Sequence, residues 1–146
     1  MAVDRINFVD SDTYTADTTV ELGDWGQYLV DCRFILDVTA AATAAADTLN
    51  VRIQSSHDKN ATDPIWDDFA SFTQVVGNGG AKQEILSWNR APTPESEQRA
   101  PADGTLAAAS VLQGPVGKWW RMDVTVVNDT DPSFTFRLIG DGMFYK

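Results

Sequence analysis

The chain has a single cysteine, Cys32, and a single histidine, His57. That scarcity excludes a good deal. One cysteine builds no disulfide framework within a chain. One cysteine and one histidine cannot supply a structural zinc site of the usual His/Cys kind. Cys32 lies in an alternating apolar run, where a small buried side chain is at home. Its basic neighbour, Arg33, points to the opposite face of a strand and cannot hold a thiolate.

Basic charge is also short. Eleven Lys and Arg stand against 21 Asp and Glu, for a formal charge of -10 and a pI near 4.3. Phosphate backbones and anionic membranes are held by clustered cations. Neither nucleic acid nor a membrane is therefore an expected partner. No apolar run approaches the roughly 20 residues of a membrane-spanning helix. The start, Met1-Ala2-Val3-Asp4-Arg5, lacks the basic and apolar regions of a secretory signal. The expectation is a product of the cytoplasm with no targeting address. The acidity itself serves solubility, or docking on a basic protein surface.

Catalytic motifs are missing too. Gly77-Asn78-Gly79-Gly80 is followed by neither Lys-Ser/Thr nor a helix, so it is no phosphate loop. No Gly-x-Ser-x-Gly elbow occurs. His57 sits in Ser55-Ser56-His57-Asp58-Lys59-Asn60, and adjacency in sequence does not make a triad. It reads as an exposed turn histidine. Asp58, Asp63, Asp67 and Asp68 could offer oxygens to calcium. They lack the central glycine and closing glutamate of an EF-hand loop, and read as surface aspartates of a turn. No enzyme activity, metal or cofactor is expected.

What is present is a period of two. At 146 residues and 43% hydrophobic, the chain can build one core without cross-links. Tyr28, Val30, Cys32, Phe34, Leu36 and Val38 fall on one face of a long strand. Further strands are predicted over 49–54, near 72–76, and over 83–88, 105–112, 118–127 and 134–139, with a weaker one at 18–22. Alanine-rich 40–46 reads as a connecting loop, and Ala91–Gly104, with three prolines, as a long exposed one. Many short strands between Gly, Pro, Asn and Asp turns predict an all-β, antiparallel, jelly-roll-like sandwich in one domain, 18–146. Its expected core includes Val30, Phe34, Leu36, Leu49, Val51, Ile53, Phe72, Val124 and either Phe134 and Phe136 or their neighbours.

Two sets of residues are candidate contacts. Residues 1–17 read as an N-terminal arm. There Val3, Ile6 and Phe8 are scattered among aspartates, too few to fold alone yet enough to order on a partner. Trp25, Trp88 and Trp119 are candidate interface aromatics; tryptophans also fill cores or stack on sugars.

The order of motifs resembles small structural proteins of tailed phages. The likeness runs through Phe34-Ile35-Leu36-Asp37-Val38-Thr39-Ala40 and Thr48-Leu49-Asn50-Val51-Arg52-Ile53-Gln54-Ser55-Ser56. It continues through Trp66, Phe72-Thr73-Gln74-Val75-Val76-Gly77, Gly114-Pro115-Val116-Gly117 before Trp120-Arg121, and Ser133-Phe134-Thr135-Phe136. It covers about residues 28–139. The turn 56–65 and the loop 91–104 are longer than that pattern. The resemblance implies a jelly-roll-like sandwich without enzymatic activity, and a place in the virion. The expectation is a capsid decoration (cement) protein on the outer capsid surface, bound to the major capsid protein as a homotrimer. The alternatives are a tail, baseplate or fibre module and a carbohydrate-binding sandwich.

Overall fold

The computed structural model describes residues 2–41, 44–90, 102–127 and 130–144. The strands are β1 (Ala2–Tyr14), β2 (Thr18–Gly23), β3 (Leu29–Ala41), β4 (Thr48–Ser56), β5 (Asp67–Ser71), β6 (Val75–Val76), β7 (Lys82–Asn89), β8 (Ser110–Val111), β9 (Trp119–Val127) and β10 (Phe134–Phe144). A single 3-10 turn, Trp25–Gln27, joins β2 to β3. All pairings are antiparallel.

One sheet has the order β1-β10-β3-β7 and the other β2-β9-β4-β5-β8, with β6 on β4. Leave out the two-residue strands β6 and β8, and eight remain. Numbered afresh, they run 1-8-3-6 in one sheet and 2-7-4-5 in the other. Successive strands thus cross between sheets, with one hairpin kept inside the second. That is the winding of a jelly roll.

The core lies between the sheets, built from the inward residues of each. Leu49, Val51, Ile53, Met122 and Val124 alternate with polar residues on β4 and β9, because one face of their sheet packs and the other does not. An aromatic cluster joins the layers. Trp88 and Phe34 come from one sheet, Trp120 and Phe69 from the other, with Trp88 and Trp120 crossing at 90° and 5.5 Å. Phe69 is 4.9 Å from Trp120. Cys32 is fully buried, which pushes its thiol pKa strongly upward.

The structure departs from the sequence reading in four places. On β3, the alternation predicts Tyr28 and Val30 inside. Val30 is the extra residue between the pairs Asp31–Met143 and Leu29–Phe144. This bulge reverses the alternation, so Leu29 is buried, Tyr28 is exposed and Val30 is only half-buried. The strand predicted near 72–76 is split: β5 ends at Ser71, and only Val75 and Val76 pair again. The strand predicted over 105–112 shrinks to β8. Of the loop predicted over 91–104, residues 91–101 lie outside the described residues, as do 42–43 of the alanine-rich segment.

The fourth departure is the arm. Residues 2–14 are β1, paired along β10 as an edge strand of the sandwich. Ile6 is buried, and Phe8 packs against Phe34, Trp25 and Trp120. The missing side chain at Gly140 makes the room, since a Cβ there would meet the Phe8 ring at 2.6 Å. Of the three apolar candidates, only Val3 stays in solvent, at 65%. The segment pairs along β10 of its own chain. Its apolar residues are too few for a free-standing unit, yet they suffice once β10 supplies the ladder.

Candidate functional site

The register Ser56–Trp119 brings the ends of β4 and β9 together. Two loops far apart in sequence leave from that point, 57–66 after β4 and 112–118 before β9. Between them lies a cleft of about 430 Å³.

One wall is a tight turn. The Asp58 N–H donates to Ser56 Oγ at 3.3 Å, and Asp58 Oδ1 accepts from the Asn60 N–H at 3.2 Å. Such side-chain bonds to nearby backbone shape a turn without secondary structure. The other wall is Gln113–Gly117, held from below by the buried Trp88 and Trp120. The Trp88 indole N–H donates to the Gly114 carbonyl at 3.2 Å, and that of Trp120 to the Gly117 carbonyl at 3.1 Å. The walls meet where the Gly117 N–H donates to Ser55 Oγ at 3.0 Å. Only glycine fits there, because a Cβ would lie 2.5 Å from the Ser56 carbonyl carbon.

The floor is apolar: Phe69 is buried, and Leu112 and Val116 are packed on the core. At the mouth are Asp58 and Asp63, both exposed, with half-buried Asp67 and exposed His57. Ile65 stands beside them 66% exposed. Among the described residues, no Lys or Arg lines the cleft.

The cations nearest in the chain are drawn aside. Lys59 and Lys118 hold their ammonium groups 4.4 Å and 4.5 Å from the centre of the Trp119 ring. Lys59 also reaches Glu21 at 3.4 Å. Arg121 lies over Trp66 at 4.3 Å.

Behind the cleft, a buried carboxylate pins the chain that enters it. Asp68 accepts from the N–H groups of Gly104 and Leu106 at 3.1 Å and 3.0 Å, and from the Gln54 amide at 2.6 Å. Arg52 lies 3.8 Å away. Asp67 similarly accepts from the Ala102 N–H at 2.7 Å. These two aspartates of the acidic cluster therefore serve as anchors for 102–106. Asp123, beside them, has its pKa raised by burial, an effect that Arg121 and Arg52 only partly offset.

The arrangement suits binding. His57 makes no hydrogen bond to a serine or aspartate among the described residues. Ser55 and Ser56 spend their oxygens on the backbone. Among the described residues, no nucleophile is aligned with a base there.

Of the candidate interface aromatics, Trp88 is a correction. It is 1% exposed, because β7 turns this position toward the opposite sheet, and its work is to hold Gly114. Trp25 is half-buried against Phe8 and Phe144, its N–H donating to the Leu22 carbonyl at 2.7 Å. Trp119 is half-exposed with two ammonium groups on its ring. The structure does not bring these tryptophans together with Val3, Ile6 and Phe8 into one patch, apart from the Phe8–Trp25 contact at 5.6 Å.

The cleft itself was missed in the sequence. Its one visible signal is Gly114-Pro115-Val116-Gly117, an apolar turn ahead of a strand. No family model, no curated protein and no solved structure matches this chain.

Proposed function

We propose that this chain is a non-enzymatic decoration protein of a tailed-phage head, braced on the outer capsid surface as a homotrimer and bridging major capsid protein subunits. The observation that carries this reading is the strand order. The motif series from Phe34 to Phe136 implies a jelly-roll sandwich, and the chain folds as one.

Three further features support it. In the core, aromatic rings of the two sheets are in contact, a packing that suits a brace. The net charge of -10 favours a basic protein surface as target. Half-exposed Trp25 leaves aromatic surface for contacts between protomers. Closed three-fold assembly then matches the three-fold positions of a capsid lattice. The sugar-binding reading gains nothing from four of the five tryptophans: Trp88 and Trp120 are buried, Trp66 is covered by Arg121, and Trp119 by two lysines.

The test is to mix the purified chain with undecorated heads of the phage that encodes it and to pellet them across a salt series. Binding is expected, falling as salt rises from about 0.1 M to about 1 M, where the screening length shrinks from ~10 Å to ~3 Å. No retention on heads at the lowest salt would count against the reading.

A further inference from the structure

We infer that the cleft between 57–66 and 112–117 is the docking site, and that its occupant is a segment of the partner protein carrying an apolar side chain beside an arginine or lysine. The inference rests on the capsid reading for the partner's identity, and on the cleft's own chemistry for the segment's.

An apolar floor of Phe69, Leu112 and Val116 gains by being covered, since each buried apolar area unit removed from water is favourable. Ile65, 66% exposed at the mouth, gains in the same way. A purely apolar occupant would leave the mouth unanswered. Asp58 and Asp63 pair with no cation among the described residues, while Lys59 and Lys118 are committed to Trp119. A cation brought by the partner supplies what the chain withholds. An acidic segment would meet repulsion there, so the site discriminates by charge as well as by shape. The walls are preformed: the turn is fixed by its own side-chain bonds, and the opposite loop by Trp88 and Trp120. Little ordering cost falls on binding.

The experiment uses the full chain in three variants. Asp58→Asn with Asp63→Asn removes the mouth charge, and asparagine oxygen still accepts from the Asn60 N–H. Ile65→Ser removes apolar surface at an exposed position, where folding is spared. Asp10→Asn with Asp12→Asn makes the same change in net charge on β1, toward the opposite end of the sandwich. In head pelleting, both cleft variants are expected to bind about tenfold more weakly than the wild type, and the β1 variant to match it. Wild-type retention of the cleft variants, or equal loss in the β1 variant, overturns the inference while leaving the capsid reading in place. If the wild type itself fails to bind heads, that reading falls, and the cleft is judged by a second probe. Acetyl-Leu-Arg-Leu-Arg-amide is then titrated into labelled protein. Amide shifts confined to 57–67 and 112–117, and lost in the Asp58/Asp63 variant, sustain the site. Shifts elsewhere, or none, overturn it.

Discussion

The indole N–H of Trp120 donates to the carbonyl of Gly117 at 3.1 Å, from inside the core to the wall of the surface cleft. Core packing and site geometry are thus one structure. The Gly117 backbone in turn sits against Ser56, with no room for a side chain.

Gly117→Ala is therefore expected to destabilise by about 1–3 kcal/mol, the usual cost of forcing atoms into a packed site. It should also open the cleft by pushing the two loops apart. Chemical denaturation reads the first effect and amide shifts at 56–58 and 115–118 the second. An unchanged midpoint would show that the backbone yields at no cost.

Ile6→Ala tests the status of β1. Ile6 is 7% exposed and its Cδ1 packs where a Gly142 Cβ would stand. The expected loss is about 2–5 kcal/mol, as for other buried aliphatic truncations. A frayed terminus would lose nothing measurable in a denaturant melt.

Asp123 gives the pH dependence. Burial raises its pKa above the ordinary 3.8, so the folded state holds its proton more tightly than the unfolded chain. Stability then falls as pH rises from the ordinary value through the raised one, and stays reduced above that window. Asp123→Asn is expected to melt higher than the wild type at pH 7, with the gap closing as pH drops below about 4. The gain is small, because the group is half-buried and screened. A variant that melts lower at pH 7 would mean that the attraction of Arg121 and Arg52 outweighs burial.

Much of this fold was legible in the residues. On β4 and β9, alternation marks the buried face correctly through Leu49, Val51, Ile53, Met122 and Val124, because one face of that sheet packs on the other layer. Alternation failed where the backbone leaves register. Val30 bulges and swaps Tyr28 for Leu29. On β1, two register shifts between Asn7 and Asp12 interrupt the pattern and leave Asp10 and Asp12 exposed, so the segment reads as a polar tail. Trp88 looked available because local sequence does not say which layer lies opposite a strand. The cleft was illegible for a similar reason. Its walls are more than forty residues apart; the Ser56–Trp119 register and the Gly117 N–H to Ser55 Oγ bond join them, and two indole hydrogen bonds hold one of them to the core.

That the chain decorates a phage head is tested most directly by a reconstruction of the virion. The expected result is jelly-roll density on the outer capsid surface at three-fold positions, with the loops 57–66 and 112–117 facing the major capsid protein. Density for this chain in the tail or baseplate, or its absence from the particle, would contradict the account.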